Sequence, residues 1–189
     1  MCIIAVVPAG KTISEEELNN CWDSNGDGGG FAYAQNGVVK IRKGFMTKEE
    51  FMRSLKSLMA KHGASTPFVI HFRIRTHGLT DKERTHPFRL PDGSALAHNG
   101  VLRGADMYDA TKSDTQLFIE KYGTLLTKEI LEREKLVIGK AIGYNKFAII
   151  HPDASLTIVN ESIGQWHEGR WFSNGSYRGY YSMYGNLAK

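Results

Sequence analysis

The chain opens on an almost unbroken apolar run, Met1-Cys2-Ile3-Ile4-Ala5-Val6-Val7-Pro8. That run predicts a buried β-strand starting at the first residues. It has no basic stretch before it and no small-residue cleavage site, so a signal peptide is not expected. Chain ends commonly fray. A cysteine held at the start of an ordered strand therefore calls for an explanation.

Further strand-like runs follow. Phe31–Ala34 and Val38–Arg42 flank Gln35-Asn36-Gly37, whose Asn-Gly signals a hairpin. Phe68–Arg73 and Ala95–His98 read as strands, and Phe147–Ile150 and Leu156–Val159 flank the turn His151-Pro152-Asp153-Ala154. A last strand pair brackets Glu168-Gly169. Helices are announced by capping boxes at Ser14–Glu17, Thr47–Glu50 and Ser113–Gln116, and Thr127 caps a fourth. In the second, Phe51, Leu55, Leu58 and Met59 share one face. Hairpin strands with helices grouped between them predict an α+β fold in layers. With no repeat, low-complexity tract or linker, the 189 residues, 1–189, are expected to form one domain with one core.

Lys plus Arg is 24 and Asp plus Glu 20, a net charge of +4. That permits an acidic partner, but a nucleic-acid binder is expected to cluster its basic residues on one face. No stretch reaches the apolar length of a membrane span. Two cysteines, Cys2 and Cys21, exclude a disulfide scaffold and predict a reducing, cytoplasmic setting.

Five motifs carry chemistry. Cys2 follows the initiator Met, so removal of Met1 would expose a thiol nucleophile beside its own α-amine, a base with a pKa near roughly 8. The other reading is a small apolar cysteine packed in a strand. Arg73, in His71-Phe72-Arg73, ends a strand, and a guanidinium holds a carboxylate bidentately. Asn99-Gly100 offers a side-chain amide and a backbone N–H, the two donors of an oxyanion hole, though Asn-Gly is also an ordinary turn. Asp114 sits in the first turn of a helix, favoured there by the dipole, and could also pair with a substrate ammonium. Asn25-Gly26-Asp27-Gly28-Gly29-Gly30 lacks the lysine of a phosphate loop and reads as a glycine loop over a small-molecule cleft.

In this order, the residues resemble the glutaminase domain of class II glutamine amidotransferases, members of the N-terminal-nucleophile hydrolases. The matching stretches are Met1-Cys2, the Asp-Gly-rich loop before Phe31, Arg73 to Gly78, Thr85-His86-Pro87-Phe88, His98-Asn99-Gly100 and Ser113-Asp114-Thr115. Trp166 to Asn174 looks like the small stand-alone branch of that family. The resemblance implies an αββα four-layer sandwich of two antiparallel sheets. It implies Cys2 as nucleophile, its α-amine as base, and Asn99 with the Gly100 amide as oxyanion donors. Arg73 would hold the glutamine α-carboxylate and Asp114 its α-amine, with Thr76, His77 and Gly78 shaping the pocket. No cofactor and no metal are implied. A separate synthase would take the ammonia. This chain departs from the pattern at Ile3, where the family has Gly, and at Gln116, where it has Glu. A retained Met1 would leave no free amine.

Three other readings compete. A γ-glutamyl amide or dipeptide hydrolase would use the same grip on the glutamyl head. A metal hydrolase would use His71, His77, His86 and His98, whose spacing matches no zinc signature. A basic binding module would use Arg73, Arg75, Lys82, Arg84 and Arg89, though charge runs are usually a solvated face.

Overall fold

A computed structural model describes residues 1–74, 81–104, 109 and 111–179. Strands β1 (Ile3–Val7), β2 (Gly29–Gln35), β3 (Val38–Phe45), β4 (Phe68–Phe72), β9 (Gln165–His167) and β10 (Arg170–Phe172) form one sheet, in the order β3-β2-β4-β1-β10-β9. The second sheet has the order β5-β6-β7-β8, built from Phe88–Arg89, Ala95–Asn99, Lys146–Ile150 and Leu156–Val159. Every pairing in both sheets is antiparallel.

Alternation along the strands sorts the apolar residues into three layers. Ile4, Val6, Ala32, Val69, Ala97, Ala148, Ile158 and Trp171 fill the space between the sheets. The opposite face of the first sheet, with Ile3, Phe31, Phe68 and Phe72, is covered by α1 (Glu15–Ser24) and α2 (Lys48–His62) through Leu18, Trp22, Phe51 and Leu55. The opposite face of the second, with Leu96, Phe147 and Ile149, is covered by α3 (Asp114–Tyr122) and α4 (Lys128–Ile142) through Phe118, Leu131 and Ile142. The layering is therefore αββα, as the resemblance implies. Among the described residues no helix is long and apolar enough to cross a membrane.

Two helix starts form the reciprocal capping box, at Ser14–Glu17 and Ser113–Gln116, and the Thr127 hydroxyl accepts from Ile130 N–H. Thr47 stands at the start of α2 without a side-chain bond, so the box expected there does not form. The glycine run divides. Gly29 and Gly30 already belong to β2, and a Cβ on Gly30 would overlap the His86 carbonyl. The cleft-covering loop expected over 25–30 is thus limited to residues 25–28.

Candidate active site

Cys2 precedes β1, one step beyond the ladder pair Ile3–Phe72, and Arg73 follows β4 at the same end. By alternation with Ile4 and Val69, both side chains belong to the inter-sheet face. Arg73 is buried, and its backbone is fixed from both sides: its N–H donates to Gly28 O at 2.8 Å and its carbonyl accepts from Asp27 N–H at 2.9 Å. The loop over 25–28 thus positions the arginine.

Asn99 ends β6 on the facing sheet and joins the two layers. Its Nδ2 donates to the Cys2 carbonyl and, at 2.8 Å, to Ser173 Oγ. Asn174 Nδ2 donates to the same Cys2 carbonyl at 2.7 Å. Ser173 Oγ also accepts from Ile4 N–H at 2.8 Å, and Ser173 N–H returns a bond to Ile4 O at 2.9 Å. The nucleophile candidate is therefore held by its backbone, and among the described residues its thiol makes one weak bond, to Ile74 O at 3.5 Å. Burial raises the Cys2 thiol pKa; the Ile74 bond, the chain's terminal ammonium and Arg73 oppose the rise. Met1, before it, is exposed.

Both N–H groups of Asn99 are engaged, while its buried Oδ1 has no hydrogen-bond partner among the described residues. Gly100 follows with φ of +142°. A Cβ there would overlap Asn145 Oδ1, so glycine is required by this approach. Asp114 starts α3. Its Oδ2 accepts from Leu102 N–H and its Oδ1 from Thr115 N–H, both at 2.8 Å. The helix cap is thereby tied to the segment leaving Asn99-Gly100. Thr76, His77 and Gly78 lie outside the described residues, as does Arg75.

Behind Asn99 lies a buried histidine cluster. His98 bonds Thr115 Oγ1 through Nδ1 and Asn145 Oδ1 through Nε2, both at 2.8 Å. His86 Nε2 meets the same Thr115 hydroxyl at 3.1 Å, and His71 Nε2 meets the His98 carbonyl at 3.1 Å. Burial depresses all three pKa values from 6.5, for His71 to about 3. These rings are neutral in the folded state. The sign follows: the unfolded chain takes up protons below its ordinary histidine pKa, whereas the folded chain does not. Stability is complete above about pH 6.5 and is lost as pH falls, by about 1.4 kcal/mol per pH unit for each histidine that stays neutral. Denaturant melts from pH 7.5 to 5 are expected to show this loss, and His98→Gln to lessen its slope by one histidine's share, His71 and His86 keeping theirs.

The histidines thus serve as hydrogen-bonded packing. Among the described residues no group of three or more His, Cys, Asp or Glu side chains is placed to hold a metal ion. The basic residues after Arg73 are also partly built into the fold. Arg84 pairs with Asp81 and donates to Thr111 O at 2.5 Å, and Arg89 donates to Gly93 O and Val39 O, each at 2.7 Å. Ser173, Asn174, Thr115 and Asn145 were not read as site residues in the sequence. Ser173-Asn174 closes one stretch of family-like residues and Thr115 closes another, Ser113-Asp114-Thr115, whereas nothing in the sequence marks Asn145.

Comparisons with known proteins bear on the fold and the sequence as a whole. No family model matches the chain. It is 25% identical over 139 residues to glutamine–fructose-6-phosphate aminotransferase (isomerizing) of Fusobacterium nucleatum subsp. nucleatum, covering 67% of this chain and 22% of that protein. The glutamine phosphoribosylpyrophosphate amidotransferase of B. subtilis superposes with a TM-score of 0.57 at 16% identity, covering 91% of this chain and 41% of that one. In fold and in sequence the chain is similar to the class II glutamine amidotransferases. It spans about a fifth of the curated relative and two fifths of the solved one.

Proposed function

We propose that the chain is an N-terminal-nucleophile cysteine amidohydrolase that releases ammonia from the side chain of glutamine. The observation that carries this reading is the placement of Cys2. It is locked by its carbonyl to Asn99 and Asn174 at the end of the sandwich where Arg73 emerges.

Removal of Met1 turns the Cys2 nitrogen into a free amine, the base that takes the thiol proton. Arg73 binds the α-carboxylate of glutamine, and Asp114 turns a remaining lone pair to its ammonium. Thr76, His77 and Gly78 complete the pocket. The thiolate adds to the side-chain amide carbon. The resulting oxyanion is held by the Gly100 N–H and by one N–H of Asn99. The Cys2 ammonium returns its proton to the leaving nitrogen, ammonia departs, and water hydrolyses the thioester to glutamate.

Asn99 can lend that N–H because Asn174 still satisfies the Cys2 carbonyl. Asn174→Ala removes this cover and leaves Asn99 as the one side-chain amide on the carbonyl among the described residues. The expected result is a fall in kcat of about tenfold, the scale of one buried hydrogen bond, with KM little changed. Equal kcat in the variant and the parent would remove Asn174 from the mechanism. Ammonia release from glutamine by protein that has lost Met1 tests the reading as a whole. Where the ammonia is used in a synthesis, a separate synthase accepts it; co-purification of a companion protein is the corresponding test.

A further inference from the structure

Helix α4 buries Leu131 and Ile142 against the second sheet and turns its other face outward. On that face, at helical spacing, stand Glu129, Glu132, Arg133, Leu136, Val137 and Lys140, all exposed. Leu136 is 79% exposed and Val137 62%. Tyr144, just past the helix end, is 89% exposed, and Leu125, just before its start, 53%. Among the described residues, half of the large apolar side chains that stand exposed belong to this one segment. Single apolar residues scattered over a surface are ordinary; their concentration on one helix and its two ends marks a contact face.

The charges on that face indicate what covers it. Glu132 lies four residues before Leu136 and Lys140 four residues after it. A second copy of the helix, laid antiparallel about a two-fold axis at Leu136, brings each position opposite the one equally far beyond Leu136. Leu136 then meets Leu136, and Glu132 of each copy meets Lys140 of the other. Tyr144 of each copy reaches the start of the other copy's α4, the end at which Leu125 is exposed. Opposed helix dipoles favour the same arrangement. A parallel pairing would instead set Glu132 on Glu132 and Lys140 on Lys140. The Glu132 carboxylate can be shared, because Lys128, 3.8 Å from it, is drawn more closely to Asp153. Arg133 keeps Glu134 of its own chain at 2.9 Å.

We propose that the exposed face of α4 binds a second copy of this chain, helix antiparallel to helix about a two-fold axis at Leu136. Such a contact uses the same patch on both copies, so it closes at two chains. One helix from each copy covers less surface than a standard interface, and dissociation is expected in the micromolar range. The inference is independent of the role given to Cys2. Helix α4 forms the outer layer behind the second sheet, whereas Cys2 and Arg73 adjoin strands of the first. Each copy therefore keeps its own site, and activity per chain should not change on pairing.

The test is sedimentation equilibrium of the full chain from about 1 to about 300 μM, which brackets a micromolar Kd. The parent is expected to pass from one chain to two. Leu136→Asp should remain a single chain throughout, with its melting unchanged because the side chain is exposed. Glu132→Lys and Lys140→Glu, each alone, set like charges together twice per interface and should weaken pairing by about tenfold or more. Mixing the two single variants should restore it, because every cross-pair in the mixed dimer is again of opposite sign. That recovery requires both variants to be folded, so it separates a lost contact from a lost fold. A parent that stays a single chain, or a Leu136→Asp protein that still pairs, overturns the inference. So do single charge variants that pair like the parent, or that fail to recover when mixed.

Discussion

Cys2→Ala is expected to reduce ammonia release from glutamine to background, a loss on the order of 10⁴–10⁶ in kcat. Two properties of the site make this a test of chemistry. Among the described residues the Cys2 side chain makes one weak hydrogen bond, so alanine removes the thiol at little structural cost. The bonds that fix the residue run to its backbone carbonyl, which alanine retains. Melting should therefore change little while activity disappears. Blocking removal of Met1 should silence the protein in the same way, because the Cys2 nitrogen then remains an amide and cannot accept the thiol proton. Intact-mass measurement distinguishes the processed chain by one methionine. A Cys2→Ala protein that releases ammonia at the parent rate would remove Cys2 from the role of nucleophile. Full activity in protein that retains Met1 would remove the α-amine from the role of base.

The layers were legible because each strand advertises its buried faces and most helices advertise their caps. Ser14 and Ser113 bond as their spacing requires. Thr47 does not, because a capping pattern specifies a start without specifying that the hydroxyl turns inward. The two-residue strand Phe88–Arg89 was missed; a pairing that short leaves no periodicity to read. At the site, the sequence singles out side chains whose chemistry is distinctive alone, such as Cys2 and Arg73. It is silent on Asn174, whose significance comes from meeting Cys2 across 172 residues of chain.

Asn99→Ala is expected to lower kcat by about 10²–10³ with a much smaller change in KM, the signature of a donor that acts on the transition state. The variant gives up two bonds, to the Cys2 carbonyl and to Ser173 Oγ, but also removes the buried Oδ1 that lacks a partner. The Cys2 carbonyl keeps Asn174, and Ser173 keeps Ile4. The stability cost should thus stay near 1 kcal/mol. Asn174→Ala separates the two things Asn99 could be doing. If Asn99 only pins Cys2, losing either amide should slow the reaction equally, since both grip the same oxygen. If Asn99 also serves the oxyanion, its loss should exceed that of Asn174 by tenfold or more, because one oxyanion donor outweighs one positioning bond. Equal losses in the two variants would leave the Gly100 N–H as the one remaining oxyanion donor among the residues assigned here.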